Sequence, residues 1–239
     1  MPIITKLGFQ KNQKRVNLYL DGVFAFGLST LVVLKRHLKV HQKLSFLAVK
    51  KLLFASWQEE FYQASLRFLG LRPRSQKEIT DYLRHRKLKQ YQFKGIKSGI
   101  DKTELAIAGP ALIDKTIKKL KEKDFINDHE FCRWLVKQRI EYSPRGKRAL
   151  KAELRQKGIE AEVIEEILAD DSLYPIEVEK NGVRQAAEKA WKQLTERKSN
   201  LRKKEDKITL RRRLYQRLAC RGFPFNLIKE AVDELINKR

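Results

Sequence analysis

The chain is poor in the residues that interrupt helices and in those that staple or metallate small folds. It has 11 glycines and six prolines in 239 residues, so long stretches are free to run as helix. Two cysteines, Cys132 and Cys220, exclude a disulfide framework. Both stand in helical apolar patterns, so buried free thiols in a reducing compartment are expected. Four histidines, His37, His41, His85 and His129, do not combine with the cysteines at metal-ligand spacing, and no metal or other cofactor is expected. No apolar run approaches the roughly 20 residues that span a bilayer, and the start of the chain lacks a signal-peptide pattern. A cytoplasmic chain with no membrane partner is expected. Neither common glycine-rich phosphate cradle occurs, which argues against nucleotide hydrolysis. Acids are the scarcest class relative to their counterparts: 29 Asp and Glu face 53 Lys and Arg, for a net charge of +24. A balance that basic argues for a polyphosphate or anionic partner, without dictating a fold.

What the chain does have is a repeated unit, a basic helix followed by a tight turn and an apolar helix. Leu150, Leu154, Lys157 and Gly158 match Leu214, Leu218, Arg221 and Gly222. Beyond the turn, Val163, Ile164 and Ile167 match Leu227, Ile228 and Ala231. A fainter copy carries Ile79, Leu83, Arg86, Lys87 and Leu88 in the corresponding places. A repeated helical unit buries its apolar stripe against its neighbours, so the expected fold is mainly α, with tandem helical repeats in an elongated array.

The first 55 residues differ in kind. Val16 to Leu20, then Asp21-Gly22, then Val23 to Phe26 is a hairpin pattern with the dipeptide favoured in type I′ turns. That turn sets Leu20 opposite Val23, Leu18 opposite Ala25, and Tyr19 with Phe24 on the other face. Ile3 to Phe9 reads as a third strand. From Ser29 the period is helical, with Leu31, Leu34, Leu38, Leu44, Leu47 and Leu52 as apolar positions. The domains expected are therefore 1–55, a small sheet with short helices; 56–124, a first repeat with an exposed insertion at about 89–109; 125–171, a second; and 172–239, a third. Within the first repeat, Ser75 and Glu78 form a capping box.

Among residues able to carry chemistry, the carboxylate pairs Asp170-Asp171 and Glu59-Glu60 are better read as a helix end and a solvated helix face than as a nuclease metal site. The cations are more specific. Arg213, Arg217 and Arg221 fall four apart beside the apolar Leu210, Leu214 and Leu218, and Lys147, Lys151 and Arg155 repeat the arrangement beside Leu150 and Leu154. Arg86, Lys157 and Arg221 share one position before the turn. The candidate contact residues are these together with Arg72, Arg74, Arg145, Arg148, Arg211 and Arg212.

The motifs resemble a known family. Arg72-Pro73-Arg74-Ser75-Gln76-Lys77-Glu78-Ile79, Phe125-Ile126-Asn127-Asp128-His129-Glu130-Phe131-Cys132, Leu154-Arg155-Gln156-Lys157-Gly158-Ile159 and Arg221-Gly222-Phe223 are together similar to the signatures of RecX, a bacterial family that modulates the RecA recombinase. The likeness covers residues 57–239, and the hairpin resembles an extension found in some members. It implies tandem three-helix repeats, binding along the groove of the RecA–DNA filament, suppression of its ATPase and recombinase activities, and so a part in regulating DNA repair and the SOS response. The implied partners are RecA and single- and double-stranded DNA, with the chain acting as a monomer and not as an enzyme. Asp124 stands where a glycine is common in the family, and the insertion is unusual. The competing reading is a sequence-nonspecific or transcriptional DNA-binding helical module with no recombinase partner. A transcription factor, however, concentrates base-reading side chains at one helix N-terminus, whereas here cations are spread over all the repeats, which suits backbone contact.

Overall fold

The computed structural model describes residues 1–11, 13–88, 102–196 and 207–237. Chain contacts divide it into two compact units, Met1–Asn127 and Asp128–Arg239. The first opens with three antiparallel strands in sequential order, β1 (Ile4–Phe9), β2 (Arg15–Leu20) and β3 (Val23–Ser29). Asp21 and Gly22 both have positive φ, 48° and 83°, as a type I′ turn demands. Asp21 adds a hydrogen bond from the Ile3 amide to its carboxylate. Leu20 pairs with Val23 and Tyr19 with Phe24 as expected, but an irregularity then leaves Ala25 unpaired and sets Leu18 opposite Phe26. The bulge keeps Leu18, Phe26 and Leu28 together in the core, where all three are buried.

Helix α1 (Thr30–Lys35) is short, and its phase differs from the expected one. Val32 and Val33 are buried while Leu31 and Leu34 are exposed, and Leu47 is exposed as well. Leu38, Leu44 and Leu52 take the core positions expected of them. Helix α2 (Phe46–Leu69) is continuous through the boundary placed at 55/56, because Leu52, Leu53, Trp57 and Phe61 form one unbroken buried stripe under the sheet. Helix α3 (Gln76–Tyr82) runs on into a π-helical turn, Leu83–Leu88, and α4 spans Lys102–Lys121 with Pro110 inside it. The part of the expected insertion from 102 to 109 is therefore helix, while 89–101 lies outside the described residues. Leu112, Ile113, Ile117 and Leu120 of α4 are buried and pack with α2 residues in one core. That burial outweighs the roughly 3 kcal/mol a helix-interior proline costs.

Among its described residues the second unit has six helices: α5 (Asp128–Tyr142), α6 (Lys147–Gln156), α7 (Ala161–Ala169), α8 (Ile176–Glu196), α9 (Lys207–Cys220) and α10 (Phe225–Asn237). The repeat pairs are buried in equivalent ways. Leu150, Leu154, Ile164 and Ile167 fill one core, and Leu214, Leu218, Ile228 and Ala231 the other. Cys132 is buried, and burial pushes its thiol up to about 11, but Cys220, the last residue of α9, is exposed. The apolar face of α9 has already passed at Leu218, so the cysteine expected in the core sits beyond it. Among the described residues no helix is long and apolar enough to cross a membrane.

The turns share one geometry. After α6, Gly158 has φ 79°, its N–H bonds to the Arg155 carbonyl and that of Ile159 to Leu154, a Schellman ending. After α4, Asp124 has φ 54° and the same two bonds run to Lys121 and Leu120. An aspartate thus occupies a left-handed position, next to the negative end of a helix. Replacing Asp124 by glycine removes the conformational strain and the charge. The expected result is a gain of about 0.5–1 kcal/mol in the first unit, read as a raised denaturation midpoint. A lowered midpoint would show that the aspartate side chain is itself anchored there.

Candidate functional site

The predicted cations divide sharply once their partners are known. Arg72 is spent inside the fold: its two terminal nitrogens each lie 3.0 Å from a Glu78 oxygen, while the Ser75 hydroxyl accepts the Glu78 amide. Arg74 lies 3.8 Å above the Phe68 ring, which stacks in turn on Tyr82. Burial and the neighbouring Arg72 lower its pKa. The first-repeat signature is therefore a structural lock on the start of α3. The side chain of Arg86 lies outside what the structure describes.

In the second unit, Glu153 collects Arg139 and Arg145. Burial works to raise its pKa, but the hydrogen bond from Arg139 and the charges of Arg145, Arg139 and Lys157 outweigh it and hold the carboxylate below the usual range. Lys151 pairs with Glu165 and Arg211 with Asp233, so one member of the expected stripes and one further candidate face acids of the same unit. Lys157 and Arg213 are also engaged within the fold. The carboxylate pairs are occupied too. Asp170 accepts from Arg133 and Ser172, Glu59 faces Lys119 and Gln63, and Glu60 faces Arg15.

The cations left facing no carboxylate among the described residues are Lys147, Arg148, Arg155, Arg212, Arg217 and Arg221, and four of them meet around one joint. Gly146, just before α6, donates its N–H to the Arg221 carbonyl at 3.0 Å. Arg148 donates to the Ala219 carbonyl at 2.9 Å. The joint thereby sets Lys147 and Arg148 of the second repeat beside Arg221 and the end of α9, one turn from Arg217. The Arg217 guanidinium donates to the Gln193 side-chain oxygen at 3.4 Å. Arg155 and Arg212 are exposed farther along α6 and α9. Concentrating cations costs self-repulsion that an anion relieves.

The repeat had marked Gly222 and Arg221 of this joint, but not Gly146 or Glu179, which complete it. A Cβ on Gly146 would lie 2.2 Å from the Gly222 carbonyl oxygen, and one on Gly222, with φ 80°, would lie 2.4 Å from the Ala149 nitrogen. Backbone thus packs directly on backbone. Gly146 has no side chain to cap α6, and Glu179 of α8, only 3% exposed, accepts the Lys147 N–H at 2.9 Å instead. A carboxylate at a helix N-terminus is favourably placed. The Tyr174 hydroxyl donates to the Arg145 carbonyl at 2.7 Å, and burial followed by the charge of Glu179 raises its pKa. Nothing marks Glu179 as buried in the charged string around it.

Comparisons place these features among known proteins. Residues 127–168, the stretch of α5 to α7, match a model described as RecX, second three-helix domain, and residues 2–45 match the regulatory protein RecX N-terminal domain. The regulatory protein RecX of Bacillus pumilus is 32% identical over 235 residues, covering 98% of this chain and 78% of the relative. That of Bacillus subtilis is 29% identical over 239 residues, with the same coverage. A crystal structure of regulatory protein RecX superposes with a TM-score of 0.61 at 21% identity, over 98% of this chain and all of that one. The structure of RecX from Lactobacillus salivarius gives 0.51 at 23%, over 76% and 97%. These two likenesses concern the fold.

Proposed function

The chain belongs to the RecX family, and we propose that it is a non-enzymatic cytoplasmic regulator that binds RecA–DNA filaments and mostly inhibits their ATPase and recombinase activities. Its work on the filament would thereby regulate recombinational repair and the SOS response. The three repeats at 56–124, 125–171 and 172–239 act as a monomeric basic body, with no cofactor. The observation that carries the reading is the joint, whose bonds hold together the helix ends that bear Lys147, Arg148, Arg217 and Arg221, four side chains with no carboxylate partner among the described residues. Cations fixed by backbone-to-backbone packing present their charges at constant spacing, which suits a repeating array of phosphates and acidic protein surface.

Pull-down with cognate RecA, with and without single-stranded DNA, tests the proposal. Retention that requires both RecA and DNA is expected; retention by DNA alone, indifferent to RecA, would favour the module with no recombinase partner. Direct DNA binding should be electrostatic. Each neutralised phosphate contributes about −0.9 to the log–log salt slope on duplex and about −0.7 on single strands. Four contacts at the joint and its flanks therefore predict a duplex slope steeper than about −3, with little sequence preference. Salt-insensitive binding, or strong preference for one short duplex, would point to a transcription factor.

A further inference from the structure

The first unit carries a surface that the joint does not use. Along β2, Val16 and Leu18 are fully buried, and the alternate residues Asn17 and Tyr19 lie on the opposite, half-exposed face, while the Arg15 side chain is tied to Glu60 of α2. Tyr19 pairs across the hairpin with Phe24, which is 53% exposed, the two rings meeting edge to face with centroids 5.8 Å apart. On the other side Lys6, the β1 partner of Tyr19, holds its ammonium 5.6 Å from the ring centre. Diagonally across, Gly8 has no side chain to cover the ring. The Gln10 amide donates to Asn17 at 2.8 Å, which leaves an ordered amide pair next to the aromatic pair on the same face. Two rings, an ammonium and amide groups on one open sheet are what unpaired bases need: π-faces to stack on, a cation for the backbone, and donors and acceptors for base edges.

The charge around this face fits the same occupant. Ten Lys and Arg precede Glu59, and Asp21 is the sole acid among those residues. Its carboxylate is taken by the Ile3 amide at the hairpin turn. Arg15 is neutralised by Glu60 of α2, which leaves Lys6 beside the Tyr19 ring as the cation of this face, and a duplex would hide its bases from the rings.

We propose that the outer face of the N-terminal sheet, centred on Tyr19 and Phe24 and flanked by Lys6, binds single-stranded nucleic acid by base stacking. The surface deepens the reading of the chain as a filament regulator by giving it a separate hold on exposed single strand. It is tested without recombinase, so that its failure and the failure of that reading stay distinct. The full-length protein is titrated with a fluorescent oligothymidylate and with a duplex of the same length. The double variant Tyr19→Ala, Phe24→Ala should bind the single strand about tenfold or more weakly. Its duplex affinity and salt slope should stay unchanged, because stacking releases no counterions. Tyr19→Phe keeps a ring and should keep single-strand binding, which separates stacking from damage to the fold. Light-induced cross-linking of an iodouracil oligonucleotide should label the peptide containing Tyr19. Unchanged single-strand affinity in the double variant, or cross-links confined to the second unit, would overturn the proposal. A variant that binds single strand normally but loses RecA would make the sheet a protein-docking face and would overturn it equally.

Discussion

Replacing Gly222 by valine is expected to cost the second unit about 2–5 kcal/mol, a large share of its stability. Two effects add. A left-handed residue with a Cβ costs about 1–2 kcal/mol, and φ at Gly222 is 80°. The new carbon would also sit 2.4 Å from the Ala149 nitrogen and 2.6 Å from its Cβ, an overpacking worth about 1–3 kcal/mol more. Small domains hold only about 5–15 kcal/mol in total. Gly158→Val isolates the first effect, because Gly158 shares the left-handed conformation, and should cost about 1–2 kcal/mol. Gly146→Ala isolates the second. Its backbone, φ −71° and ψ 160°, suits any residue, but its Cβ would meet the Gly222 carbonyl at 2.2 Å. To accommodate it the repeats must part, breaking the bond from Gly146 to Arg221 and the one from Lys147 to Glu179. Faster hydrogen exchange at the amides of Gly146 and Lys147 should accompany a lowered melting temperature. A Gly146→Ala protein with unchanged melting and exchange would show that the two repeats do not pack backbone on backbone.

This joint marks the limit of what the sequence could disclose. Period and turn chemistry are local, and the elements built on them were legible: the Asp21-Gly22 hairpin, the Gly158 turn, and the buried leucines four apart on α6 and α9. The phase of α1 was not, since six residues cannot distinguish Leu31 and Leu34 from Val32 and Val33, and the chain turns sharply at His37, where φ is 50°. The strand register failed one residue past the hairpin because the bulge at Ala25 answers to the core beneath it and not to the turn. Charge stripes were legible as positions on a helix but not as free charges. The acids that occupy Lys151 and Arg211 come from the next helices, at Glu165 and Asp233, and a single helix period cannot display them. The recurrence of a cation before each turn also has a plain structural cause. Lys157 and Arg221 stand at helix C-termini, where positive charge is favoured on any helix. Recurrence alone therefore does not identify a contact; freedom from a partner does so better.

That criterion decides which substitutions test regulation. Lys157 and Arg213 have work inside the fold, so reversing them confounds stability with binding. Arg155, Arg212, Arg217 and Arg221 have no carboxylate partner among the described residues, and changing all four to glutamate removes four positive charges and adds four negative ones. The fold should survive. Surface changes usually cost within about ±0.5 kcal/mol, and glutamates near the helix C-termini at 155 and 221 cost about 0.3–1 kcal/mol each through the helix dipole. The sum is well below the stability of a typical domain. Duplex binding should not survive. Losing four contacts flattens the duplex salt slope by about 3.6, and repulsion from the new acids acts on top of that loss. The wild-type protein is expected to lower DNA-dependent ATP hydrolysis by RecA, because a body fixed across neighbouring protomers and the DNA between them resists the motions that accompany turnover. The folded quadruple variant should lower it weakly or not at all over the same concentration range. Full inhibition by a variant whose circular dichroism matches the wild type would remove the joint and its flanks from the regulatory contact and assign it to the first unit.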